Sequence, residues 1–252
     1  MARNANLRKQ TLTYFFSVEG ETEKWYLDWL ENQINAAPEA KYKVKIKADV
    51  QPDPVSYGKK LTVQSKTTVW HLSDIEGSSR EQIQGVEATI SRLKDVKKLG
   101  KAITYKWGYS NLSFDLWMIL HKHSCNAELS NVDGYLRHIN SAFSASFESM
   151  KKYKEEANFK RCLGELSLDD VKTAIDRAKN IMLRNQRDGY PLTQYKGYAY
   201  YIHNLSLDLW QPTRPPGSQR RLLMTAESPF SLTPDPPERE TATSPGTIPT
   251  TP

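Results

Sequence analysis

LTYFFSVEGE, residues 12–21, sets a run rich in β-branched and aromatic side chains directly against an acidic turn. Residues 12–18 therefore predict a buried strand. The run stops at Glu19-Gly20-Glu21, after which Trp25, Tyr26, Trp29 and Leu30 recur at helical spacing. The same alternation continues outward. In residues 41–47, Tyr42, Val44 and Ile46 alternate with Lys41, Lys43, Lys45 and Lys47, the pattern of a strand with one solvated face. Pro52 and Pro54 predict a loop before a short helix within 52–66. TTVWHLS (67–73) is another strand, and residues 79–98 place Ile83, Val86, Ile90 and Leu93 on one helical face. A further strand covers 102–109, and an apolar helix covers 113–121. Strand and helix in this order predict an α/β fold with a mainly parallel sheet flanked by helices. In such sheets ligands bind beyond the C-terminal ends of the strands.

The rest of the chain reads differently. Residues 127–210 suggest helices over 130–147 and 168–187, then a tyrosine-rich stretch and a closing segment over 205–210. Ten of the 14 prolines lie in 211–252, and none of the six tryptophans does. Such a segment cannot bury enough apolar area to offset its ordering entropy. The expected division is an α/β core over 1–126, a helical C-terminal cap over 127–210 and a disordered tail over 211–252.

Lys and Arg number 35 against 29 Asp and Glu, a formal net charge of +6. The tail carries Arg214, Arg220, Arg221 and Arg239 against Glu227, Asp235, Glu238 and Glu240, so the excess belongs to residues 1–210. A basic folded body suits a polyanionic partner, nucleic acid first. The same charge also suits a plain solvated surface. No apolar run approaches the roughly 18 residues of a membrane helix, so no membrane partner is expected. MARNANLRKQ has charge but no apolar stretch behind it, so a secretory signal is not expected. Cys125 and Cys162 stand alone, which excludes a disulfide framework or a zinc site built on Cys pairs and fits the cytoplasm.

Three acids fall where this architecture puts a site. Glu19 follows the first strand, Asp74 follows the strand 67–73, and Glu76 comes just before Gly77. Two neighbouring strands would bring all three together. Carboxylates at that density repel unless a cation neutralises them. An oxygen-only set suits Mg²⁺ or Mn²⁺, and such an ion would serve phosphodiester cleavage. Each acid taken singly also suits a helix N-cap or dipole partner, and that reading stands beside the first.

Strand-Glu19-Gly20-Glu21-x-Glu23-x-x-Tyr26 and strand-Asp74-x-Glu76 resemble the two signatures of the Toprim fold. Ser110-Asn111-x-x-Phe114-Asp115-Leu116-Trp117-x-x-Leu120-His121 resembles the hallmark of the RloB-like family. The resemblance covers about residues 10–210, with Tyr153-Lys154 and AIDRAKN (174–180) fitting its later half. It implies a Toprim-related partner of SMC- or ABC-like ATPases encoded nearby, in bacterial phage-defence and abortive-infection loci. Related Toprim effectors are metal-dependent nucleases acting on DNA or tRNA. Carried over, Glu19 matches the first Toprim acid, and Asp74 with Glu76 matches the Asp-x-Asp pair. Glu76 is one methylene longer than the family residue. Leu112 stands where the family often has Pro, and Asp115 where it often has Glu.

Other candidates have two readings each. Glu21 and Glu23 lie in a first helical turn, where a dipole role suffices. Asn111 is an N-cap or a site residue. His121, at a helix end, is structural or a general acid–base. Lys151, Lys152, Lys154, Lys160 and Arg161, interleaved with Tyr153 and Phe159, are the best nucleic-acid candidates or a solvated face. The leading expectation is a metal-dependent nuclease effector with Glu19, Asp74, Glu76, Asn111 and His121 at the site, the first three on Mg²⁺ or Mn²⁺. The alternative is a non-catalytic Toprim-like module that binds a partner ATPase or nucleic acid. No Walker A motif is present, so any ATP hydrolysis comes from a partner. Self-association into a homo-oligomer stays open.

Overall fold

β1 (Thr11–Val18) lies between β2 (Lys43–Val50) and β3 (Thr67–Ile75), parallel to both. β3 in turn pairs in parallel with β4 (Ile103–Asn111). The computed structural model describes residues 9–209 apart from 39, 126–128, 130 and 204. The tail over 211–252 and Trp210 lie outside the described residues. From β1 the chain crosses through α1 (Glu21–Ala36) to β2 on one side. It then returns through α2 (Pro54–Lys60) to β3 on the other side, and continues through α3 (Arg80–Asp95) to β4. The direction of winding therefore reverses between β1 and β3. Such a switch point opens a crevice at the strands' C-terminal ends. The predicted α/β fold with a mainly parallel sheet is the observed one.

β2 is an edge strand whose Val44, Ile46 and Ala48 are buried, while Lys43, Lys45 and Lys47 face out. Lysines on an edge discourage pairing with other chains. β3 is buried along most of its length, as an interior parallel strand should be. Asp53 caps α2 by accepting from the N–H groups of Val55 and Ser56, and its carboxylate also holds Arg92 at 2.8 Å. At the other end of α2, Lys101 Nζ donates to the carbonyls of Gly58, Lys59 and Leu61.

The strands run longer than the apolar pattern predicts. β3 continues through Ile75 because Asp74 and Ile75 still pair with Ser110 and Asn111. Asp74 thus sits inside β3 rather than after it. α4 (Asp115–Lys122) is buried from Asp115 to His121. A helix apolar on all sides belongs in an interior, and α5 (Tyr135–Ala142) and α8 (Leu168–Arg187) pack against it.

The C-terminal segment departs from a purely helical cap. α5 stops at Ala142 because the Asn140 side chain bonds both the carbonyl and the N–H of Phe147, closing a loop. α6 (Met150–Tyr153), α7 (Glu156–Gly164) and α8 follow. The tyrosine-rich stretch is a hairpin of β5 (Leu192–Tyr195) and β6 (Tyr198–Tyr201). Its two-residue turn has Lys196 at φ 47° and Gly197 at φ 80°, the left-handed pair that matches strand twist. β7 (Ser206–Leu207) then joins the main sheet antiparallel to β4. Gly108 allows this approach: a Cβ there would lie 2.9 Å from Leu72 Cδ2 and 3.0 Å from the Asp208 carbonyl. Cys125 and Cys162 are buried and not joined in a disulfide. No helix among the described residues is long and apolar enough to cross a membrane.

Candidate functional site

Glu19 is the first residue past β1, at the switch point. Its Oε2 accepts from the backbone N–H of Asp74 at 3.0 Å. On the next strand, Ser110 Oγ donates to Asp74 Oδ1 at 3.0 Å, as the β3–β4 register dictates. Glu23 lies one turn beyond Glu19 and is buried. Thr22 Oγ1 donates to it, and Gly20 leaves the room it occupies: a Cβ there would come within 3.0 Å of its Oε2. Asp115 opens α4 fully buried. Its Oδ2 accepts from Ser113 Oγ at 2.7 Å and meets Lys154 Nζ at 2.8 Å. Its Oδ1 is buried with no hydrogen-bond partner among the described residues.

The electrostatics join these groups into one cluster. Burial pushes Glu19 up to about 7, with the Asp74 N–H opposing and the charges of Glu23 and Glu76 adding to the rise. Burial, then the charges of Glu23, Glu19 and Asp115, hold Asp74 well above the usual carboxylate range. Glu23 is raised by burial and by Asp115. Burial alone would lower Lys154, but the ion pair with Asp115 and the charges of Asp74 and Glu23 outweigh it and raise the ammonium. Among the described residues, Asp115, Asp74 and Glu23 thus share the Lys154 cation in a desolvated crevice, and Glu19 is tied to them through Asp74 and Glu23. Such a site holds protons or draws in a further cation.

The predicted site residues separate into groups. Glu19 and Asp74 are brought together. Glu76 stays exposed beyond β3 and reaches Glu19 through charge alone among the described contacts, while its carbonyl accepts from Gln82 Nε2. Asn111 is buried, and its amide donates to the Ile202 carbonyl at 2.7 Å rather than capping α4. The Asn111–Leu112 peptide bond is cis. The Tyr135 hydroxyl holds this turn, accepting from the Leu112 N–H and donating to the Asn111 carbonyl. His121 sits at the far end of α4 from Asp115, about 9 Å away along the helix axis. Its Nδ1 is 2.8 Å from the Trp117 carbonyl and its Nε2 is 3.1 Å from the Tyr26 hydroxyl. Burial lowers it to about 4, and the charges acting on it are those of Asp170 and Lys122. It is a neutral core residue with both ring nitrogens engaged.

The basic cap residues also divide. Lys154 belongs to the acid cluster. Lys152 pairs with Glu155, and Lys160 pairs with Glu156 and lies 5.8 Å from the Trp25 ring centre. Arg161 lies over Phe147, and Lys151 is exposed. Sequence reasoning missed Glu23 and Asp115 as cluster members and gave Lys154 a different role. The signal for Asp115 was its place within the Ser-Asn-x-x-Phe-Asp motif, whereas Glu23, in the first turn of α1, carried none beyond the helix dipole.

The donor set fits a hard cation: it is all oxygen, crowded, desolvated and includes the orphaned Asp115 Oδ1. Yet each carboxylate is turned toward a protein donor. Among the described residues no three His, Cys, Asp or Glu side chains stand ready to share an ion. An ion would therefore enter by rotating side chains away from those donors.

A family model described as RloB-like protein matches residues 14–198 of the chain. No curated protein and no solved structure matches it.

Proposed function

We propose a function from one premise: the chain belongs to the RloB-like family. Our reading is a Toprim-type, metal-dependent phosphodiesterase that cleaves DNA or tRNA. It would act with an SMC- or ABC-like ATPase as an effector of antiphage defence. The observation that carries it is the buried Asp115 Oδ1, which has no hydrogen-bond partner among the described residues and whose carboxylate acts by charge on Asp74 beside the switch point. Glu19, Asp74 and Asp115 would hold Mg²⁺ or Mn²⁺, with Glu76 entering from the rim. A bound divalent ion would supply an activated water and offset charge on the phosphoryl oxygens. Glu19, raised to about 7 in the absence of an ion, would have to ionise to hold one, so the ion should be taken up more readily as pH rises through neutrality. Ser110 orients Asp74, and Lys154 can pass from Asp115 to a substrate phosphate. The test is nucleic-acid cleavage with Mg²⁺ or Mn²⁺ and the partner ATPase. Glu19→Gln and Asp74→Asn should abolish it while preserving the fold. Full cleavage by both variants would remove the cluster from the chemistry.

Two observations favour a non-catalytic module instead. Lys154 already neutralises part of the cluster, and Glu76 lies outside it. On that reading the site is a structural ion pair. Nucleic acid or the ATPase would bind without any metal-dependent cleavage.

A further inference from the structure

One face of β1 and β2 carries a row of lysines that the acid cluster does not use. Lys43, Lys45 and Lys47 are exposed and alternate with the buried Val44, Ile46 and Ala48. Lys41, just before β2, is exposed as well. The parallel register sets Lys43, Lys45 and Lys47 beside Thr11, Thr13 and Phe15 of β1. Thr11 and Thr13 are exposed, so the face is open across both strands at this end.

Edge protection explains lysines on β2 in part. Yet α1 already occupies that edge. The Asn35 side chain accepts from the N–H of Val44 and donates to its carbonyl, and the N–H of Ile46 donates to Glu31. Strand addition is thus blocked at Val44 and Ile46 without the lysines. The row also has few counter-charges. Lys45 meets Glu31 at 3.0 Å, an exposed pair of the kind that water weakens. Lys47 Nζ lies 5.3 Å from the centre of the Phe15 ring. Asp49, exposed two residues further on, ends the row with the opposite sign. Among the described residues no ion pair reaches Lys41, Lys43 or Lys47. In the cap, by contrast, Lys152 and Lys160 are each paired with a nearby glutamate. Lysines two apart on a strand stand about 6.6 Å from each other. Phosphates of a stacked nucleic-acid strand rise about 3.4 Å each, half that spacing, and drawing the strand out brings the two repeats together. A straight row on a face two strands wide suits one such strand, whereas the backbone of a duplex winds away from it.

We infer that a single-stranded stretch of nucleic acid lies along this face, with Lys43, Lys45 and Lys47 on its phosphates and the hydroxyls of Thr11 and Thr13 beside them. The inference rests on the nucleic-acid substrate proposed above. Lys47 is level with Phe15, four residues or about 13 Å before Glu19 along β1. The row therefore holds a flank of the strand and not the phosphate to be cut. The test is fluorescence anisotropy of a short labelled single strand of mixed sequence, as DNA and as RNA, titrated with the full chain in EDTA. Without a metal, binding is read apart from cleavage. Changing Lys43, Lys45 and Lys47 together to Gln should leave the melting temperature near the parent's, because all three are exposed. It should weaken binding at least about tenfold at low salt and flatten the salt dependence by about 2, at about 0.7 per phosphate contact. Changing the same three to Arg should keep the parent's affinity, as should changing Lys151, Lys152 and Lys160 to Gln. A duplex of the same sequence and polyglutamate of matching charge should compete less well than the single strand. No binding by the parent, parent-like affinity in the triple Gln variant, loss of binding in the Arg variant, or equal competition by duplex or polyglutamate overturns the inference. Cleavage with Mg²⁺ or Mn²⁺ has its own assay, so failure of the lysine row and failure of the proposed chemistry are told apart.

Discussion

The backbone N–H of Asp74 donates to Oε2 of Glu19 at 3.0 Å, so one carboxylate bridges the end of β1 to the interior of β3. That bond spans the point where the sheet's winding reverses. It accounts for only part of Glu19's environment, because burial still drives the carboxyl up to about 7.

A pH dependence follows. An acid with a raised folded-state value takes up protons on folding between its unfolded value near 4.5 and about 7. Stability then falls as pH rises through that window, and the loss is complete above it. For Glu19 this amounts to about 3 kcal/mol at most. His71 and His121, both lowered to about 4 by burial, work the other way as pH falls below about 6.5. The comparison of Glu19→Gln with the parent cancels their effect. In metal-free buffer the two should melt together near pH 5, and the variant should melt higher near pH 8. A variant less stable at both values would make the bond to Asp74 the main role of Glu19.

Lys154→Met should expose the cost of the crowded acids. It leaves the buried Asp115 carboxylate without its cation. The loss should be about 1–3 kcal/mol, below that of a fully buried pair because the Lys154 side chain is 37% exposed. Adding Asp115→Asn should restore most of it. Mg²⁺ should stabilise Lys154→Met more than the parent, since the ion replaces the missing charge. Denaturant titrations of the single and double variants, with and without Mg²⁺, measure all three effects.

Gly108→Ala tests the join between β4 and the C-terminal segment. The added methyl would meet Leu72 and the Asp208 carbonyl, and that carbonyl belongs to backbone that cannot rotate away as a side chain can. The expected loss is about 1–3 kcal/mol. Faster amide exchange should appear at Leu207 and Asp208, where β7 meets β4. Unchanged exchange there would show that the strand accommodates the methyl.

The fold was legible because the strands announce themselves by β-branched and aromatic runs, each followed by helical spacing. Glu19 and Asp74 were legible for the same reason: acids at strand ends of a parallel sheet converge. Glu23 was not, since a first-turn acid is already explained by the helix dipole. Asp115 and Lys154 lie far apart in sequence, and nothing local reveals that the turn after α6 folds back on the start of α4. His121 kept two readings, structural and acid–base, because a helix-end position does not show whether packing buries the ring, as it does here against Tyr26. The hairpin's Lys196-Gly197 turn was readable, but the tyrosines flanking it do not alternate with polar residues and so hid the strands.

The central claim is that the carboxylates at the switch point take up a divalent cation. The most direct measurement is Mn²⁺ binding by the full chain near pH 7.5, followed through loss of the free-ion electron paramagnetic resonance signal. The parent should bind one ion saturably, and Glu19→Gln and Asp74→Asn should each weaken binding by at least about tenfold. A folded parent that binds no Mn²⁺, or binding unchanged in both variants, would contradict the account.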